Sequence, residues 1–164
     1  MASAERPEAD QLAPGVSRAF WAGASFGLLT PDGLARFKEK HLGLDWVGQF
    51  PGSKGMRDTQ FGVKIDVLVS GEYLGDGKPK PVRFPDPDVA VRGEGFRVLP
   101  LRDLVELKLA SGLTNPNRLK DLADVQELIR HASIPLDLAA ELDPMVRDKF
   151  VEIWHATRRD SDDD

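Results

Sequence analysis

The chain has 164 residues, 41% hydrophobic and 30% charged, which suits one ordinary globular domain with a single core. It contains no cysteine, which excludes disulfides, thiolate–metal sites and cysteine nucleophiles, and fits a reducing compartment. A formal net charge of −5 argues against generic binding to duplex nucleic acid, which needs a surface that neutralises phosphates.

No apolar run approaches the roughly 20 residues that span a bilayer, so no membrane crossing is expected. The histidines His41, His131 and His155 lie far apart in sequence, which argues against a histidine-rich zinc site. Residues 1–15 are polar and interrupted by proline. They lack the basic start and apolar stretch of a secretory signal, so they read as a disordered arm of a cytoplasmic protein. The acidic stretch 158–164 reads as a disordered tail, and 16–157 as one domain.

Val16 to Leu29 is apolar and rich in small residues, with a periodicity that does not decide between helix and strand. Thr30-Pro31-Asp32 predicts a helix start, with a hydroxyl cap, proline at the first position and an acid facing the positive end of the dipole. That helix carries Leu34 and Phe37 and is expected to stop near Gly43. A strand is predicted from Leu44 to Phe50 and a polar loop from Ser53 to Gln60. Phe61 to Val69 gives the strongest strand pattern: Val63, Ile65, Val67 and Val69 face one way, Lys64, Asp66 and Leu68 the other. Four prolines and three glycines between Gly71 and Asp88 predict an exposed loop or loose hairpin arm. Phe96 to Leu99 reads as a short strand, followed by helices. These span Leu101 to Ala110 (ending at Gly112), Asn115-Pro116 to about His131, a short helix after Pro135, and one from Asp143-Pro144. In the last, Val146, Phe150, Ile153 and Trp154 form an apolar stripe.

At three places polarity interrupts a pattern that is otherwise apolar. Asp66 lies in mid-strand, where an aspartate is either on a half-exposed strand, in water or paired with a base such as Lys64, or aimed into a cleft as a metal ligand or general base. Lys108 shares the stripe of Leu101, Leu104 and Val105. It either snorkels or holds its charge against a buried carboxylate or a bound phosphate. Asp121 and Asp124 lie one turn apart, on the stripe of Val125 and Leu128. They read as surface acids, with Lys120 pairing Asp124 at i,i+4, or as acids set among core residues.

The run VLPLRDLVELKLASGLTNPNRLKDLADVQELIR (Val98 to Arg130) resembles the helical end of minimal nucleotidyltransferase-fold proteins, relatives of the AbiEii-type toxins. The segment GVKIDVLVSGEYLGDGKPKPVRFPDP (Gly62 to Pro87) resembles that family's third-carboxylate strand and the arm after it. The resemblance implies a reduced mixed sheet with C-terminal helices packed on it. It assigns Asp66 and Lys108 as catalytic residues, with Asp66 also the metal ligand, and Arg118, Lys120, Asp121 and Asp124 as nucleotide-binding residues. Such enzymes also open with a glycine-serine turn and a strand bearing D-x-D, whose acids help hold two divalent metals. No D-x-D precedes Asp66; Asp32, Glu39, Asp45 and Asp58 are isolated, as though the first part of the fold had been lost or replaced by Met1 to Leu29.

Three functional expectations follow. The first is a degenerate nucleotidyltransferase-like protein that keeps a surface for a nucleoside triphosphate or a partner. The second is an active Mg²⁺-dependent enzyme completed by another chain or subunit. The third is a non-enzymatic module of toxin–antitoxin type, in which a protein partner or a second copy covers an exposed sheet edge.

Overall fold

The computed structural model describes residues 17–21, 24–92 and 97–162. The class is α/β, as expected, and the chain divides into two compact units. Of the described residues, the first comprises those up to Ser70 together with those between Pro85 and Leu99; the second comprises Gly71–Phe84 and those from Pro100 onward.

In the first unit, the stretch whose periodicity was ambiguous forms two antiparallel strands, β1 (Ser17–Trp21) and β2 (Ala24–Leu29). Helix α1 (Pro31–His41) starts as the sequence dictates: the Gly33 N–H donates to Thr30 Oγ1 at 3.0 Å. The chain turns at Gly43, whose φ of 88° suits a residue without a Cβ. Thr30→Ala is expected to cost about 1 kcal/mol, read as a lower urea midpoint with an unchanged slope.

Strands β3 (Trp46–Gly48), β4 (Met56–Asp58) and β5 (Lys64–Val69) complete a five-stranded sheet of order β1-β2-β5-β4-β3. Strand β2 pairs with β5 in parallel and the other pairs are antiparallel. Three local expectations are corrected here. The strand predicted over Leu44–Phe50 is cut to three residues, and the predicted loop Ser53–Gln60 contains β4. Met-Arg-Asp carries no strand signature of its own; it is held by pairing on both sides, a case of context overriding propensity. Strand β5 begins at Lys64 rather than Phe61 because the Asp58 carboxylate accepts the amides of Gln60 and Phe61, at 2.9 and 2.7 Å, fixing a turn.

Along β5 the expected alternation holds from Lys64 onward: Val67 and Val69 are buried, Lys64 and Asp66 exposed. Leu29, Met56, Val67 and Val69 form a core against which Leu34 and Phe37 of α1 pack. A two-stranded ribbon, β6 (Val91–Arg92) and β7 (Arg97–Val98), also belongs to this unit; Phe96 of the predicted strand lies outside the described residues.

The second unit begins with the proline-rich arm, and over Gly71–Phe84 it is neither loose nor wholly exposed. Across a hairpin the Gly71 N–H donates to the Phe84 carbonyl and the Phe84 N–H donates to the Glu72 carbonyl, both at 2.9 Å. Leu74 and Val82 are buried, and Lys80 donates to the Leu74 carbonyl at 2.6 Å and to Asp76 at 2.5 Å. Helix α2 spans Leu101–Thr114, α3 Leu119–His131 and α4 Pro144–Asp162, with 3₁₀ turns at Pro116–Arg118 and Leu136–Glu141. Helix α4 thus takes in part of the stretch read as a tail. Helix α2 does not stop at Gly112. A Cβ there would lie 2.6 Å from Leu122 of α3, so this glycine permits close helix approach rather than ending a helix.

The C-terminal helices bury apolar residues against one another. Val105, Leu109, Val125, Ile129, Val146 and Phe150 are all at most 1% exposed. Among the described residues, no helix is long and apolar enough to cross a membrane.

Candidate functional site

The apolar stripe of α2 carries Lys108 into the second unit's interior, where the whole residue is 4% exposed. The facing stripe of α3 presents Asp121 and Asp124 one turn apart. Lys108 Nζ donates to Asp124 Oδ2 at 2.5 Å and lies 3.5 Å from Asp121 Oδ1. Arg118, at the end of the preceding 3₁₀ turn, donates through Nε to Asp121 Oδ2 at 2.9 Å and more weakly to Ser111 Oγ at 3.4 Å. Four of the six residues singled out from the sequence therefore meet in one cluster.

Two alternatives left open by the sequence are decided by this geometry. Lys108 does not snorkel; its charge is held against carboxylates. Lys120 does not pair with Asp124, whose carboxylate is turned to Lys108 instead. Lys120 is exposed and stands outside the cluster, with no ion pair among the described residues.

Burial pulls the Lys108 ammonium below its ordinary range, and the carboxylates of Asp124 and then Asp121 work against that pull. Two cations and two carboxylates balance to zero formal charge, the condition under which burying them is tolerable. Within this balance Arg118 is the exception in exposure: its side chain is 53% accessible, against 8% for that of Asp121. Among the described residues, no acceptor is bonded to its two terminal nitrogens.

No family model, curated protein or solved structure matches the chain.

Asp66 belongs to the first unit. It is exposed on the central strand of the sheet, not on an edge, and its Oδ1 accepts the Gln49 side-chain amide at 3.1 Å. Gly55 makes room for that bond: a Cβ there would lie 2.5 Å from Gln49 Nε2 and 2.9 Å from Asp66 Oδ1. Lys64, offered as a partner from the sequence, makes no ion pair with Asp66. Among the described residues, no group of three or more His, Asp or Glu side chains is placed to hold a metal ion.

Sequence reasoning missed several contributors. Ser111 sits at i+3 from Lys108, a spacing that places it on the same helix face, so its part in anchoring Arg118 was open to inference. Gln49 gives no such signal. The chain does contain a D-x-D after Asp66, at Asp86-Pro87-Asp88, and the structure shows its local use. Asp86 Oδ1 accepts the Asp88 N–H at 3.0 Å and caps a 3₁₀ turn.

Proposed function

We propose that the chain is a nucleotidyltransferase-like protein that transfers no nucleotide by itself and retains a phosphate-binding surface at Arg118. The likeness rests on the resemblance of Gly62 to Pro87 and Val98 to Arg130; the observation that carries the phosphate surface is the anchored guanidinium: Nε fixed by Asp121 and Ser111, the terminal nitrogens open, the side chain half exposed. A guanidinium held in this way has already lost much of its rotamer freedom, and its planar fork matches the spacing of phosphate oxygens. Lys108 then serves as a buried counter-charge that sets Asp121 in place for Arg118. That is a positioning role, in contrast to the catalytic one implied by the resemblance.

The inactive half of the proposal rests on ligand supply. Two-metal phosphoryl chemistry needs several carboxylate oxygens around the ions, whereas no D-x-D precedes Asp66 and Asp66 is engaged by Gln49. Incubation of the purified chain with Mg²⁺ and labelled nucleoside triphosphates is expected to leave protein and added RNA unlabelled. Mg²⁺-dependent transfer by the chain alone would overturn this half, and transfer only after another protein is added would mean that a partner completes the site.

A further inference from the structure

On the sheet of the first unit, Arg57 of β4 and Lys64 of β5 are direct cross-strand partners, so their side chains rise side by side from one face. Both are exposed, and among the described residues neither has an ion-pair partner. Asp66, two residues along β5 on the same face, is turned to Gln49 instead. Like charges placed directly opposite each other on a sheet are destabilising, so this arrangement is unfavourable without a counter-ion. It is also not on a flat surface. Arg57 and Lys64 line a hollow of about 310 Å³ with Gly48, Gln49 and Phe50. That volume is at the small end of the range for ligand sites. Phe50, 66% exposed, offers an aromatic face at this hollow.

We propose that Arg57 and Lys64 form an anion site that takes a phosphate group, separate from the surface assigned to Arg118. The Arg57 guanidinium supplies paired donors to two phosphate oxygens and the Lys64 ammonium a point charge, so a bound phosphate turns mutual repulsion into shared attraction. The phosphate comes either from inorganic phosphate or from an ester carrying a planar group that stacks on Phe50.

The test is a titration at low salt with inorganic phosphate, AMP and adenosine, followed through the backbone amide signals of Gly48, Arg57 and Lys64. Phosphate and AMP are expected to shift these signals while adenosine does not. Arg57→Gln and Lys64→Gln are each expected to weaken binding by about tenfold, in line with losing one charge-assisted contact. Arg118→Gln is expected to leave these signals unchanged, so that failure here and failure of the Arg118 reading are told apart. AMP binding more tightly than phosphate, with the difference removed by Phe50→Ala, identifies an ester as the ligand; equal binding identifies the free ion. In the absence of anion, Lys64→Gln is expected to match or raise the melting temperature, because it removes repulsion. No shift at millimolar phosphate or AMP, or undiminished binding in both single variants, overturns the proposal.

Discussion

Replacing Lys108 with alanine is expected to destabilise the protein by about 3–5 kcal/mol, the range for deleting one partner of a buried ion pair. The loss comes less from the contact itself than from what remains. Asp121, its side chain 8% exposed, is left with Arg118 alone, and Asp124 loses the donor at 2.5 Å. The side chain of Asp124 is 32% exposed and can recover water, which places the expected cost toward the lower end. The same argument predicts the opposite result for a concerted change. Lys108→Met with Asp121→Leu and Asp124→Leu removes every desolvated charge except Arg118, which already reaches solvent. That variant is expected to be as stable as the parent or up to about 4 kcal/mol more stable. Urea unfolding of the two variants beside the parent checks both. A cost below about 1 kcal/mol for Lys108→Ala would mean that Lys108 is solvated rather than paired.

Gly112→Ala is the second large effect, and here two terms oppose each other. In a helix interior alanine is favoured over glycine by about 1 kcal/mol. Against this, the new methyl would lie 2.6 Å from both Cγ and Cδ2 of Leu122, and the Arg118 carbonyl oxygen is 3.4 Å away. Turning the terminal methyls alone leaves Cγ in place, so either Leu122 changes its χ1 rotamer inside a packed interface or α2 and α3 separate, at an overpacking cost of about 1–3 kcal/mol. The expected net result is destabilisation by about 1 kcal/mol, together with a displaced Arg118. Thermal unfolding checks the sign. A raised melting temperature would show that helix propensity dominates and that the helices are not in close contact at this glycine.

How far the sequence discloses the fold depends on whether each signal is local. The α1 cap, the β5 alternation and the α4 stripe each lie within a few neighbouring residues, and they were readable. Strand β4 was not, because Met56, Arg57 and Asp58 are extended only through the strands on either side. Gly112 carries the converse lesson: glycine is a sound stop signal, but its role here is set by Leu122 on another helix.

The cluster was legible to the same degree. Lys108, Asp121 and Asp124 betrayed themselves as charges on apolar stripes, while the choice of Lys108 over Lys120 as partner for Asp124 depended on the helix packing. Asp66 stood out by the same conflict, yet its partner Gln49 lies 17 residues away with no pattern to announce it. In each case the sequence shows where a polar group is out of place, and the packing decides what answers it.

The most direct test of the Arg118 surface is isothermal titration of ATP, with and without Mg²⁺. It should be run in a background carrying Arg57→Gln and Lys64→Gln so that the sheet site is silent. The protein that retains Arg118 is expected to bind ATP, and adding Arg118→Gln is expected to weaken that binding about tenfold or more; because the buried Asp121 also loses its partner at 2.9 Å, some stability is lost too, and the titration is made well below the variant's unfolding transition. Equal affinity with and without Arg118, or no heat at millimolar ATP, would contradict the assignment and leave the cluster a purely structural lock between α2 and α3.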